Sequence, residues 1–311
     1  MTVLLFADKP SEWDRWEPHL RQSLKARSLN DVELTTDISR SDVDAIAYAP
    51  SSGLTDFTAY PNLRAIFSMW AGVERIVGNP SITVPLTRMV EPGLTIGMAE
   101  WVLGHVMRHH LGMDIHLYGQ DGTWRNAPGP PLAKDRTVGI LGLGTLGLAA
   151  AERLISVGFN VVGWSRRPRS VEGVRCLSGD DGLKETLESA EILVLLLPKT
   201  VETINLLNAD RLRTMRPGAF LINPGRGTLI DDTALLAALE TGHIKHATLD
   251  VFREEPLPTD HPYWAHPNVT VTPHIAAETR PETASEVIAE NLQRLLAREP
   301  LLYEVDRTAG Y

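Results

Sequence analysis

The sequence predicts an α/β protein of two open parallel-sheet domains, Rossmann-like or flavodoxin-like in their winding. Three observations lead there. The chain has 311 residues, 43% of them hydrophobic, and at roughly 100–200 residues per domain that length suits two domains with full cores. Two stretches alternate short apolar runs with helix-period segments, the rhythm of βαβ units. One turn between such segments reads Gly-x-Gly-x-x-Gly, the glycine pattern of a dinucleotide-binding strand–turn–helix unit.

In chain order, residues 3–7 form a first apolar run, and residues 12–27 carry Trp13, Trp16, Leu20 and Leu24 at helical spacing. Residues 32–34, 45–48 and 65–67 are further strand-like runs bounded by Pro, Ser, Gly and Asp. A long helix is expected from Gly97 through Trp101, Val102, His105, Val106 and His109 towards Tyr118. The Gly/Pro-rich residues 121–134 then break the pattern as a linker or exposed arm. The second block begins at Arg136. Its strands are expected at 138–141, 160–164, 192–197, 219–223, 247–251 and 269–271, and its helices at 147–157, 183–189 and 232–241. Strands apolar throughout suit a parallel sheet covered on both faces. Residues 281–298 form a final amphipathic helix.

Composition removes several classes of function. With 30 basic and 39 acidic residues the net charge is −9, so the basic footprint of a nucleic-acid or anionic-membrane binder is missing. Cys176 is the single cysteine, which leaves no disulfide framework and no multi-cysteine zinc site. The N-terminal apolar stretch is too short for a signal peptide and reads as a strand. The apolar region 138–164 is interrupted by Glu152 and Arg153, so no run of about 18 uncharged apolar residues exists. The expectation is a soluble, cytoplasmic protein. His105 with His109, and His243 with His246, have spacings that suit metal ligation, but no third ligand is evident nearby. They read as packing or surface residues, and no metal is expected.

The glycine motif is Gly142-Leu143-Gly144-Thr145-Leu146-Gly147. The first glycine permits the tight turn, the second lets backbone approach a pyrophosphate, and the third allows close helix–strand packing. The helix N-terminus supplies free N–H groups. An NAD-preferring chain carries an acid about 20 residues on, to bond the ribose 2′-OH. Here the segment reads Trp164-Ser165-Arg166-Arg167-Pro168-Arg169, and no acid occurs from Val161 to Ser170. Arg166 and Arg167 suit a 2′-phosphate through charge-assisted, bidentate bonds. The expected cofactor is NADP(H), with NADH accepted more weakly.

Three later segments follow apolar strands: Asn223-Pro224-Gly225-Arg226-Gly227, Leu249-Asp250 to Glu255-Pro256, and Thr272-Pro273-His274. Ligands of open α/β sheets bind at the carboxyl ends of strands. Hydride transfer to a 2-oxo acid needs a cation for the substrate carboxylate, a proton donor for the developing alkoxide, and an acid to raise and orient that donor. Arg226, His274 and Glu255 fit these tasks in that order.

These motifs together resemble the D-isomer-specific 2-hydroxyacid dehydrogenases, over essentially the whole chain. Within that family the chain is most similar to the NADPH-dependent glyoxylate/hydroxypyruvate reductase A group, down to the closing Val305-Asp-Arg-Thr-Ala-Gly-Tyr311. The resemblance implies that Arg226 orients substrate, Glu255 supports, and His274 is the acid/base. It places Asp250 near the nicotinamide carboxamide and Pro198 along the cofactor cleft. It gives the substrate carboxylate the backbone N–H groups of Ala71, Gly72 and Val73. There Trp70 replaces the family's usual glycine, narrowing the pocket or lining it with apolar surface. The resemblance further implies a discontinuous substrate domain (1–99 plus 277–311), a cofactor domain (100–276), and an active site in the cleft between them. It also implies homodimers paired through the cofactor domain, with the helix from Gly97 and the arm around Trp124 at the interface.

Three residues stay open at this level. Arg88 reads either as a substrate contact or as a structural ion pair, Tyr48 either as pocket lining or as core, and Trp124 either as an interface residue that could reach the partner's pocket or as an ordinary loop anchor. Three functions compete: an NADPH-dependent reductase of glyoxylate or hydroxypyruvate, the same chemistry on a bulkier 2-oxo acid with Trp70 setting the pocket, and a non-catalytic nucleotide sensor.

Overall fold

The protein is described by a computed structural model covering residues 1–126, 129–307 and 310. Two residues of the Gly/Pro-rich arm, 127–128, and residues 308–309 and 311 of the closing segment lie outside the described residues. The chain divides into two compact units, Met1–Leu94 with Glu278–Tyr311, and Thr95–Ala277.

The first unit opens with β1 (Thr2–Ala7), α1 (Trp13–Ala26), β2 (Val32–Thr35), β3 (Ala45–Tyr48), β4 (Ala65–Ser68) and β5 (Leu86–Thr87). Its five strands lie in the order β2-β1-β3-β4-β5, every pairing parallel. Side chains alternate between the two faces of the sheet. Leu4, Phe6 and Phe67 face one layer with Trp16, Leu20 and Leu24 of α1, while Leu5, Ile46 and Ile66 face the other with Val73 and Ile76. Both faces are covered, which is why the central strands Ala45–Tyr48 and Ala65–Ser68 are buried at every position.

The next helix, α2 (Pro92–Leu111), begins in the first unit and continues into the second. After it come α3 (Asp114–Tyr118), β6 (Thr137–Leu141), α4 (Thr145–Val157), β7 (Asn160–Trp164), β8 (Val174–Leu177), α5 (Gly179–Ser189) and β9 (Ile192–Leu195). The unit continues with α6 (Ala209–Thr214), β10 (Ala219–Asn223), α7 (Asp232–Glu240), β11 (Ile244–Leu249) and β12 (Val269–Val271). Its seven parallel strands run β12-β11-β10-β9-β6-β7-β8. Strand order reverses between β6 and β9, the switch point at which open sheets of this kind bind ligands. The chain then returns to the first unit as α8 (Pro281–Ala297), whose Ala284, Ile288 and Leu292 complete the layer against α1.

One buried carboxylate joins the two chain segments that make up the first unit. Glu91 is 1% exposed. It accepts the backbone N–H groups of Gly93 (2.5 Å) and Leu94 (2.6 Å) in its own segment, and that of Arg280 (3.1 Å) and the Thr283 hydroxyl in the other.

The two-sheet α/β architecture expected from sequence is what the chain forms, while several details differ: β9 ends at Leu195 and not 197, β11 is Ile244–Leu249 and not 247–251, α5 starts at Gly179 and not 183, and the two-residue β5 was not among the expected runs. The helix expected from Gly97 starts at Pro92, because Glu91 caps its first N–H groups. It stops at Leu111, because Gly112 takes a left-handed φ of 63°, and Asp114–Tyr118 is a separate short helix. Strand β8 was not expected: Val-Arg-Cys-Leu is an edge strand, part-exposed and without an apolar run. The six-residue α6 lay below the length at which helical periodicity shows. Among the described residues no helix is long and apolar enough to cross a membrane.

Candidate active site

The glycine loop sits at the sheet's switch point. Gly142 has φ of 109°, and a Cβ there would lie 2.5 Å from the Leu196 carbonyl oxygen. At Gly147 a Cβ would lie 1.8 Å from the Gly142 oxygen, so the first turn of α4 packs against the loop only without a side chain. Gly144 is different: a Cβ would meet nothing within 4 Å. It is exposed, as is Thr145, and Leu146 is half-buried. Gly144 is also the N-cap of α4, with no side-chain cap on the helix's first N–H groups. Open space over uncapped amides is the cradle that a pyrophosphate fills.

At the end of β7, Ser165 is buried and its hydroxyl donates to the Arg167 carbonyl at 2.7 Å. That bond curls the chain so that Arg166 and Arg167 are exposed. Across the switch point, Pro198 is half-buried, and its carbonyl accepts the Thr203 hydroxyl at 2.8 Å.

Three further loops leave β10, β11 and β12. After β10, the buried Asn223 side chain donates to the Arg226 carbonyl (2.9 Å) and accepts from the Gly225 N–H (3.1 Å), folding a tight turn that presents Arg226. Gly227 presses on the β11 loop, since a Cβ there would lie 2.0 Å from the Phe252 carbonyl carbon. The Phe252 N–H donates to Glu255 Oε1 at 2.9 Å, and Glu255 Oε2 lies 2.8 Å from His274 Nδ1. Burial is the largest influence on Glu255 and raises its pKa. The hydrogen bonds from His274 and Phe252 and the charges of His274 and Arg226 outweigh it, leaving Glu255 below the ordinary carboxylate value. Arg226, Glu255 and His274 are therefore brought within electrostatic reach of one another. The His274 side chain is 50% exposed while Glu255 is 26% exposed, so the ring is anchored on one edge and open on the other.

His274 has φ of 56°, a left-handed conformation that costs a non-glycine residue about 1–2 kcal/mol. Asp250, fully buried, holds this turn: its carboxylate accepts the Thr272 hydroxyl and the N–H groups of Ile275 and Ala276. Sequence reading placed Asp250 at the site without this task, because its partners lie in the neighbouring strand's loop.

Trp70, Ala71, Gly72 and Val73 belong to the first unit. Trp70 is 36% exposed, with the Arg75 guanidinium 5.9 Å from its ring centroid. Ala71 and Gly72 are half-buried, and Val73 is core. Tyr48 is core as well, its ring edge-on to Phe57 at 5.3 Å and its hydroxyl on the Leu54 carbonyl. Arg88 is half-buried, its backbone N–H on the Tyr303 carbonyl, and burial pulls its guanidinium below the ordinary value. The histidines at metal-like spacings are engaged otherwise: His109 stacks on Phe220 and bonds Thr248, His243 meets the Leu212 carbonyl, and His246 bonds Thr270. Among the described residues no group of three His, Cys, Asp or Glu side chains is placed to hold a metal ion.

Residues 102–276 match the family model described as D-isomer specific 2-hydroxyacid dehydrogenase, NAD binding domain. Over 258 residues the chain is 41% identical to glyoxylate/hydroxypyruvate reductase A of Serratia proteamaculans, covering 80% of this chain and 82% of the relative. Among solved structures it is similar to a D-isomer specific 2-hydroxyacid dehydrogenase of Xanthobacter autotrophicus in complex with NADPH and MES. The TM-score is 0.92 and the identity 38%, over 100% of this chain and 99% of the other. It is also similar to an NADPH-dependent glyoxylate/hydroxypyruvate reductase of Sinorhizobium meliloti in complex with NADP and sulfate, with TM-score 0.86 and 32% identity over the same shares.

Proposed function

The chain belongs to the D-isomer-specific 2-hydroxyacid dehydrogenase family, and on that premise we propose that it reduces a small 2-oxo acid with NADPH, taking glyoxylate to glycolate and hydroxypyruvate to D-glycerate. The observation that carries this reading is the 2.8 Å contact between His274 Nδ1 and Glu255 beside Arg226, on a ring half open to solvent.

The cofactor is held by the Gly142, Gly144 and Gly147 loop, the first residues of α4 (Thr145 and Leu146), and Pro198. Ser165, Arg166 and Arg167 meet its 2′-phosphate. Bound there, it supplies the hydride to the substrate's carbonyl carbon. Arg226 grips the substrate carboxylate and draws electron density from the adjacent carbonyl. In the protonated imidazole of His274 both ring nitrogens donate, Nδ1 to Glu255 and Nε2 to the carbonyl oxygen. As negative charge develops on that oxygen, the Nε2 proton transfers to it and the ring is left neutral. Glu255 keeps the ring's orientation through the step. The family resemblance assigns the substrate carboxylate the backbone N–H groups of Ala71, Gly72 and Val73 as well, with Trp70 next to them in sequence.

Initial rates with NADPH and NADH against glyoxylate, hydroxypyruvate, pyruvate and a phenyl-bearing 2-oxo acid test the proposal. Fast turnover of the two smallest hydroxyacid precursors with NADPH is expected, with NADH slower. Turnover of the phenyl-bearing acid alone would reassign the pocket to a bulkier substrate, a second reading that the exposed ring of Trp70 favours. Binding of NADPH without turnover of any of them would refute the reductase.

We further propose a homodimer paired through the second unit. From the end of α2 through α3 to the arm, Leu111, Met113, Ile115, Leu117, Tyr118 and Trp124 are all exposed, Trp124 at 93%, a concentration of apolar surface larger than isolated surface residues account for. A second copy of the chain is the occupant the family resemblance assigns.

A further inference from the structure

Asp250 follows β11 and Thr272 follows β12, and the two strands pair in parallel with Leu249 opposite Val271. That register sets the Asp250 residue against the turn that carries His274. Its backbone carbonyl accepts the His274 N–H at 2.9 Å. Its Oδ1 accepts the Thr272 hydroxyl at 2.7 Å and the Ile275 N–H at 2.9 Å, and its Oδ2 accepts the Ala276 N–H at 2.9 Å. One fully buried residue thus binds positions on both sides of His274 and His274 itself. Asp250 is in turn fixed from β10, its N–H donating to the Asn223 carbonyl at 3.0 Å.

These bonds converge on a residue whose backbone is unfavourable on its own. With φ of 56°, His274 relaxes to a negative φ unless its neighbours prevent it. Such a rotation would carry the imidazole off Glu255, and the 2.8 Å contact that orients the ring would be lost. The carboxylate is the acceptor the turn requires: three donors point at two oxygens, and no neutral side chain of that size offers the same set.

We propose that Asp250 is a positioning residue for proton transfer, holding His274 in its left-handed turn so that Glu255 can orient the ring. The assignment rests on the proposed reductase chemistry and differs from a role in gripping the nicotinamide, because the carboxylate oxygens are turned to the loop.

A double-mutant cycle on the full chain separates the two roles. Turnover, KM for glyoxylate and Kd for NADPH are measured for the wild type, Asp250→Asn, His274→Ala and the pair together. Asp250→Asn places an amide N–H₂ against one of the loop donors. It should lower kcat on the order of 100-fold, the cost of a misplaced catalytic group, while NADPH Kd is retained. Added to His274→Ala it should cost nothing more, since two residues acting as a unit are non-additive. Multiplied losses, or a Kd for NADPH that weakens in step with kcat, would overturn the proposal.

If Asp250→Asn fails to fold, Thr272→Val removes only the hydroxyl bond to Oδ1. A kcat loss of roughly 2- to 10-fold, the worth of one such bond, is expected, and full activity would count against the proposal. A wild type that reduces no 2-oxo acid refutes the functional reading instead. The positioning role is then read from the His274 imidazole signals in ¹⁵N-histidine-labelled protein. Loss of the hydrogen-bonded Nδ1–H signal in Asp250→Asn supports it, and an unchanged signal overturns it.

Discussion

At the end of β7, where an acid would meet a ribose hydroxyl, the chain carries Ser165, Arg166 and Arg167, and no acid occurs between Val161 and Ser170. On the proposed assignment, replacing both arginines by alanine removes two guanidinium groups from a phosphate that only NADPH has. Hydrogen bonds to charged groups are worth about 1.5–3 kcal/mol, so NADPH binding should weaken on the order of 10- to 100-fold with NADH nearly unaffected, as read by fluorescence titration. Equal losses for both would remove the arginines from the 2′-phosphate. The residues of this region were legible because each sits just beyond an apolar strand, where a single sequence already places side chains at a sheet's carboxyl edge. Arg226, Glu255 and His274 were legible for the same reason. The task of Asp250 was not, since its partners stand 22 to 26 positions later and reach it only through the pairing of β11 with β12. Nor does any compositional signal mark a positive φ at a histidine.

Elements read well where burial is complete and poorly at edges. The strands Ala45–Tyr48, Asn160–Trp164, Ala219–Asn223 and Val269–Val271 have the bounds expected from their apolar runs. The edge strand β8 and the start of α2 depend on partners that sequence periodicity does not encode, a neighbouring strand in one case and Glu91 in the other. Helix α2 carries a second consequence. Burial pushes His105 down to about 4 and does the same to His246, from the ordinary 6.5. Burial, with repulsion from His246, takes His109 lower still. The folded state thus holds these rings neutral while the unfolded chain protonates them near 6.5. Their contribution to stability is fully present above pH 6.5 and is lost progressively as pH falls towards 4. For His109, 3% exposed, the loss at pH 5 is about 2 kcal/mol. The thermal midpoint should therefore drop between pH 7.5 and 5, and His109→Gln should flatten that drop; parallel curves for the two proteins would exclude His109 as a source. The end of the same helix begins the exposed apolar segment. Leu117→Asp with Trp124→Glu should convert a dimer to monomer in analytical ultracentrifugation, and an unchanged mass would place the interface elsewhere.

At the scale of the whole molecule, the two sheets were foreseeable because each repeats the same strand–helix rhythm and both bury their strands on two faces. The C-terminal residues add a closure that no motif announced. Val305 donates to the Leu86 carbonyl, Arg88 donates to that of Tyr303, and the Arg307 guanidinium takes the carbonyls of Ile82 and Val84, sealing the outer edge of β5. The first unit is thus built from the two ends of the chain, with α8 supplying one wall of the layer that covers Leu4, Phe6 and Phe67. This bears on how the protein is made. On the ribosome the strands of the first sheet emerge ahead of the second unit but lack α8 until that unit has been translated. About 200 residues at roughly 5–20 residues per second is a wait of about 10–40 s. The second unit, uninterrupted in sequence, can close before the first. The first unit's hydrophobic surface leaves the exit tunnel before that of the second and is covered after it, and for that interval the nascent chain offers chaperones a half-built sheet.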